Sequence, residues 1–98
     1  MRCAEAIFKL RSCAEDLRTR GATALYLFGS VARDEAGAES DLDLFIDYDP
    51  DSRFSLLDLA GIKNRLEDEL AVKVDVTTRD SLHPLLRDNI ERAAVRVY

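Results

Sequence analysis

One histidine, two cysteines and no apolar run longer than a few residues set the first limits on this chain of 98 residues. With His83 alone, zinc sites built on several imidazoles and Ser-His-Asp triads have almost nothing to work with. Cys3 and Cys13 stand ten residues apart in what reads as a helix. That rise, roughly 15 Å, is beyond the reach of a disulfide, so free thiols in a reducing compartment are expected. No window approaches a membrane span. The opening MRCAEAIFKLRSCAEDLRTR is broken by charges where a secretory signal needs an apolar core. A cytoplasmic protein without membrane association is the expectation. A basic excess is missing too: 14 Lys and Arg face 19 Asp and Glu, for a net charge of −5 and a pI near 4.8. That balance argues against a nucleic-acid surface, and the mixing of signs along the chain argues against an acidic tail.

What is present suits one domain over residues 1–98, with an ordinary apolar fraction of 47%. Cys3, Ile7, Leu10, Ala14 and Leu17 predict one apolar stripe on a first helix, ended by Gly21. Ala24–Phe28 reads as a short strand covered on both faces. Gly29-Ser30 ends it, Val31–Glu35 predicts one or two helical turns, and Ala36–Ser40 a loop. Leu42, Leu44 and Ile46 alternate with Asp41, Asp43, Phe45 and Asp47, the period of a second strand. Asp51 or Ser52 is placed to cap a helix whose buried face is Leu56, Leu59, Ile62, Leu66 and Leu70. Val72, Val74 and Val76 predict a third strand. A last helix opens at Asp80 or Ser81, tolerates Pro84 in its first turn, and buries Leu82, Leu86, Ile90 and Ala93. Val95–Tyr98 fits either a final helical turn or a short extra strand. The expected fold is α/β in two layers, a small mixed sheet with helices packed on it. The short return from Ser30 to Asp41 favours an antiparallel first pair.

Two aspartates flanking one leucine on a strand need an explanation, because apposed carboxylates repel. Strand alternation puts Asp41 and Asp43 on one face, and Asp75 lies on the polar face of the third strand. If those strands neighbour each other in register, three carboxylates converge, and a divalent cation relieves them. An all-oxygen acidic site suits Mg²⁺. Gly29-Ser30, where glycine permits close backbone approach and a helix begins, is suited to phosphate oxygens. A nucleoside triphosphate is the simplest ligand that needs both features.

Gly29-Ser30, ten further residues, then Asp41-Leu42-Asp43 resembles the G-S-x10-D-x-D signature of nucleotidyltransferases related to DNA polymerase beta. Asp75 within Lys73-Val74-Asp75-Val76 looks like that superfamily's third carboxylate. Gly29-Ser30-Val31-Ala32-Arg33, Ser40 before Asp41, and Leu85-Leu86-Arg87-Asp88-Asn89-Ile90 look more narrowly like the minimal nucleotidyltransferases (MNT), antitoxins commonly paired with HEPN-domain toxins. The resemblance runs from about Leu25 onward and departs at Asp34, where many relatives carry glycine; the aspartate adds negative charge near the presumed phosphate site. It implies transfer of AMP from ATP to a hydroxyl with release of pyrophosphate, the acceptor being a tyrosine of a cognate HEPN toxin. Asp41 and Asp43 are then expected to hold two Mg²⁺ ions, with Asp75 on the catalytic ion and helping to deprotonate the acceptor. Gly29 and Ser30 are expected on the β and γ phosphates, and Arg33 on either the triphosphate or the acceptor.

Plainer roles stand beside these. Arg33 is equally suited to a surface pair with Asp34 or Glu35. Lys73 reads as neutralising the carboxylates, His83 as a surface residue at a helix start, and Asp47, Asp49 and Asp51 as a solvated turn. Tyr26 is expected in the core with its hydroxyl bonded, and Tyr98 in terminal packing or against a partner. Two competing functions remain open. One is a non-catalytic antitoxin that neutralises its toxin by binding, within a hetero-oligomer. The other is transfer to a small molecule such as an aminoglycoside; enzymes of that kind resemble this sequence in the motif but carry an additional substrate domain, for which 98 residues are expected to leave no space.

Overall fold

The alternation through Leu42, Leu44 and Ile46 builds the central strand of a four-stranded mixed sheet in the computed structural model, which describes residues 1–35, 37 and 41–98. In chain order the elements are α1 (Cys3–Arg11), α2 (Ala14–Thr19), β1 (Ala22–Phe28), α3 (Gly29–Ala32) and β2 (Leu42–Tyr48). Then follow α4 (Leu56–Leu70), β3 (Val74–Thr78), a 3₁₀ turn (Arg79–Ser81), α5 (Arg87–Ala93) and β4 (Val95–Arg96). The sheet order is β3-β2-β1-β4. β1 runs antiparallel to β2 and β4, as the short return predicts, while β2 and β3 run parallel. The tail is thus a strand rather than a helical turn. Apart from Gly37, the loop expected over Ala36–Ser40 lies outside the described residues, as does Ser40 of the motif.

One sheet face carries Leu25, Leu27, Leu42, Leu44, Ile46 and Val74, all buried against Ala6, Leu10, Leu17, Ile62, Leu66 and Leu70 of the helices. This is the hydrophobic layer of an α/β domain. The expected first helix is two. The Cys13 N–H reaches back three residues to the Leu10 carbonyl at 3.0 Å, and the Ser12 hydroxyl donates to the Lys9 carbonyl at 2.6 Å, tightening the turn between them. The break advances the stripe, so that Ala6, Leu10, Cys13 and Leu17 are buried and Ala14 is only half-buried. Gly21, at φ 108°, ends α2 as predicted.

Two helix starts differ from expectation. Ser55 rather than Asp51 or Ser52 caps α4: its N–H donates to Asp58 Oδ2 at 2.8 Å within a reciprocal capping box. Leu56 then lies on the outer side of the first turn and is 82% exposed instead of buried. α5 starts only at Arg87, after a turn over residues 84–86 in which the Leu86 and Arg87 N–H groups both donate to the His83 carbonyl, at 2.9 and 3.0 Å. Leu82 enters the core from an extended backbone, whereas Leu86 is 54% exposed and Ala93 is exposed. Among the described residues no helix is long and apolar enough to cross a membrane.

The opposite sheet face is not bare. Tyr26 stacks on Phe45 with ring centroids 4.7 Å apart, and Phe28 is tilted against Phe45 at 5.8 Å. The Arg79 guanidinium lies 4.8 and 5.0 Å above Tyr26 and Phe45. Phe45 is consequently 1% exposed although it points away from the main core. Tyr26, expected in that core, is a half-buried member of this second cluster. Tyr98 takes the packing role: its hydroxyl donates to the Ala22 carbonyl at 2.9 Å, Arg18 covers its ring, and burial pushes its phenol up to about 12.

Candidate functional site

Register decides what the aspartates can do together. β2 and β3 pair with Asp43 directly opposite Asp75, and β1 pairs with β2 with Phe28 opposite Asp43. One row across the sheet therefore reads Phe28, Asp43, Asp75, on the face away from the hydrophobic layer. Asp41 stands one residue ahead of β2 and is exposed, like Asp75, while Asp43 is half-buried. Burial pushes the Asp43 carboxyl above the usual carboxylate range, Asp75 and Asp41 add to the rise by their charge, and Arg33 opposes it. Asp75, directly opposite, and Asp41, two residues ahead, thus both act on Asp43.

Gly29 closes the site from below. Its φ of 77° lies in the left-handed region that favours glycine, and a Cβ there would meet Asp43 Cγ at 3.1 Å and Cβ at 3.2 Å, with Oδ2 closer still. β1 thus delivers its last residue, and the turn into α3, directly against the central carboxylate. Ser30 follows, half-buried, in α3. Arg33 lies at the end of this short helix, close enough to act on Asp43, yet its Nε donates to Glu35 Oε2 at 2.9 Å in an exposed pair.

Asp34 turns out to be a helix cap. Its backbone sits at φ 56°, tolerable for aspartate and easy for the glycine of the family pattern, and its Oδ1 accepts the Cys3 N–H at 2.7 Å. The carboxylate is directed to the N-terminus of α1. Asp34→Ala is expected to lower stability in urea denaturation by about 1–2 kcal/mol, from the lost cap and the left-handed backbone. Asp34→Gly, which relieves the backbone, should lose clearly less; equal losses in the two variants would contradict this account.

The donor set is oxygen only and includes an apposed carboxylate pair that repels without a cation, which fits Mg²⁺. Among the described residues no three carboxylate, imidazole or thiol groups stand gathered as a ready-made metal cage. Two strand carboxylates with a third nearby would leave any further coordination positions to water and phosphate, the usual way of holding Mg²⁺.

Other residues resolve plainly. Lys73 is exposed just ahead of β3, where its carbonyl accepts the Leu42 N–H at 3.0 Å. His83 is exposed and its Nδ1 accepts the Leu85 N–H at 3.2 Å. Asp49 and Asp51 do form a turn, with the Asp51 N–H donating to Asp49 Oδ1. Asp47 belongs to the sheet instead: Arg79 donates to its two oxygens at 2.7 and 3.0 Å. Sequence reasoning missed Arg79 and Phe28. The signal for Arg79 is the spacing of 32 residues, which separates Asp47 from Arg79 as it separates Asp43 from Asp75.

Comparison with known proteins agrees with this geometry. The nucleotidyltransferase domain model matches residues 10–97. A Methanocaldococcus jannaschii protein, provisionally described as a protein adenylyltransferase, is 45% identical over 71 residues, covering 72% of this chain and 74% of its own. A solved structure provisionally described as a minimal nucleotidyltransferase superposes with a TM-score of 0.74 at 37% identity, over 97% of this chain and 95% of the other. A more distant solved structure, a tri-AMPylated Shewanella oneidensis HEPN toxin in complex with MNT antitoxin, shares the fold. Its TM-score is 0.63 at 16% identity, over 90% of this chain and 68% of that one. With the family model matched over residues 10–97 and a relative 45% identical over 72% of the chain, the carboxylate row and glycine turn have their family: this chain belongs to the nucleotidyltransferase domain family and is a nucleotidyltransferase.

Proposed function

We propose that the chain transfers AMP from ATP to a protein hydroxyl, a tyrosine of a cognate HEPN-domain toxin, and so acts as the antitoxin of the pair. The observation that carries this reading is Asp43 standing opposite Asp75 with the bare Cα of Gly29 packed against it. The AMP-modified HEPN toxin seen with an MNT antitoxin in the distant Shewanella structure supports the choice of acceptor class.

In this reading Asp41 and Asp43 hold two Mg²⁺ ions and Asp75 shares one of them. When bound, the metal supplies Lewis-acid stabilisation of the charge on the reacting phosphate. The Gly29 backbone and the Ser30 hydroxyl hold the β and γ phosphates, while Arg33 exchanges Glu35 for the triphosphate. The acceptor oxygen forms a bond to the α phosphorus as the bond to the β-phosphate oxygen breaks and pyrophosphate leaves. Asp75, exposed at the edge of the row, helps to draw off the acceptor proton.

Incubation of the chain with ATP, Mg²⁺ and the protein encoded beside it tests this directly. Intact-mass spectrometry is expected to show that protein gaining one or more AMP units, mapped by fragmentation to tyrosine. A partner that binds stoichiometrically yet gains no mass over hours would leave a non-catalytic binding antitoxin as the function.

A further inference from the structure

The β2–β3 ladder carries opposite electrostatics at its two ends, on one face. At the first end Asp43 opposes Asp75, a like-charge pair that tends to drive the strands apart or out of register. At the far end, one step past the last paired residues Ile46 and Thr78, Arg79 grips Asp47 through bonds of 2.7 and 3.0 Å. The same 32-residue offset relates both pairs, so a single register satisfies them together. Arg79 is itself anchored: its guanidinium lies over Tyr26 and Phe45 and reaches Glu91 of α5 at 3.3 Å. Phe45 in turn supports Phe28, the residue before Gly29.

We propose that Arg79 is a positioning residue whose two-point grip on Asp47 fixes the register and spacing of β2 and β3, holding Asp43 against Asp75 for a divalent cation. The proposal rests on Asp43 and Asp75 being the cation ligands of the function given above. A slip of one residue turns Asp75 to the opposite sheet face and dismantles the pair. A planar fork fixes direction as well as distance, which a lysine ammonium does not. The repulsive end of the ladder is thereby steadied from the attractive end without a further charge entering the site.

The full chain, its R79K and R79M variants and a D43N control are titrated with Mn²⁺, the free ion being read by electron paramagnetic resonance. R79M is expected to bind Mn²⁺ about tenfold more weakly than wild type, the low end of the range seen when supports of a metal ligand are removed, and R79K, which keeps the charge, about threefold. The Mg²⁺ concentration giving half-maximal AMP transfer should rise in parallel, with kcat at saturating Mg²⁺ changed less than about twofold. A purely structural role lowers the folded fraction, seen by circular dichroism, without moving the Mn²⁺ constant of the folded molecules. Should R79M not fold, R79K decides: Mn²⁺ affinity equal to wild type in a folded Arg79 variant overturns the proposal. Equal Mn²⁺ binding by wild type and D43N overturns the ligand assignment and the proposal together.

Discussion

Gly29→Ala is expected to leave the sheet folded and to cut AMP transfer at least about a hundredfold. Two effects combine. An alanine held at the glycine's φ of 77° is strained, by about 1–2 kcal/mol in the left-handed region. Its methyl carbon also falls within 3.1–3.2 Å of the Asp43 side-chain carbons, with a carboxylate oxygen nearer still. β2 cannot retreat, because it is hydrogen-bonded to β1 on one side and β3 on the other. The Asp43 carboxylate must therefore swing away, and a displacement of about 1 Å at a catalytic group costs on the order of a hundredfold in rate. Quenched-flow transfer assays beside urea denaturation separate the two consequences. A folded variant that retains more than about a tenth of the wild-type rate would show that the glycine turn and Asp43 do not work as one unit.

Asp43→Asn should separate stability from activity in opposite directions. Transfer is expected to fall by about a thousandfold or more, the scale of removing a main electrostatic contributor from a transition state. The metal-free variant should at the same time melt about 1–8 °C higher than wild type at neutral pH, since a directly opposed like-charge pair costs roughly 0.2–1 kcal/mol. The pH dependence has a definite sign. The Asp43 carboxyl is raised above its ordinary range by burial and by Asp75 and Asp41, so the folded state holds the proton more tightly than the unfolded chain. Its contribution to stability is present at low pH and is lost as pH rises through the raised value. The melting advantage of the asparagine variant should accordingly shrink as pH is lowered into the carboxylate range, and saturating Mg²⁺ should abolish or reverse it. Calorimetric scans at several pH values, with and without Mg²⁺, provide the check. If Asp43→Asn still silences the partner toxin, occlusion rather than AMP transfer is the neutralising act.

Much of this was legible in the chain because strand geometry is strict. A period of two through Leu42, Leu44 and Ile46 told which side Asp43 faces, and the short return from Ser30 favoured the antiparallel pairing of β1 with β2. The identity of β3 as the neighbour of β2 depended on resemblance as well, since no local pattern states which strands meet. Helix starts were less legible because several small polar residues compete for each cap. Asp51, Ser52 and Ser55 all precede α4, and only Ser55 has an acidic partner three residues on, at Asp58. Leu56 and Leu86 continue the apolar spacing of their helices on paper, but both fall where the helix has barely begun or not yet begun. Phe45 shows the opposite error. Alternation assigned it to the polar face, but Tyr26 and Phe28 of β1 and Arg79 from the end of β3 together cover it.

β3 is one of the two outer strands of the sheet among the described residues, and an unpaired outer edge is an invitation for another polypeptide to add itself. Lys73 ahead of it and Asp75 within it are both exposed charges, the kind of side chain that discourages such intermolecular extension. Neutralising Asp75 thus has a price outside the reaction: the altered protein becomes more prone to self-association, and its behaviour on storage belongs beside its kinetics.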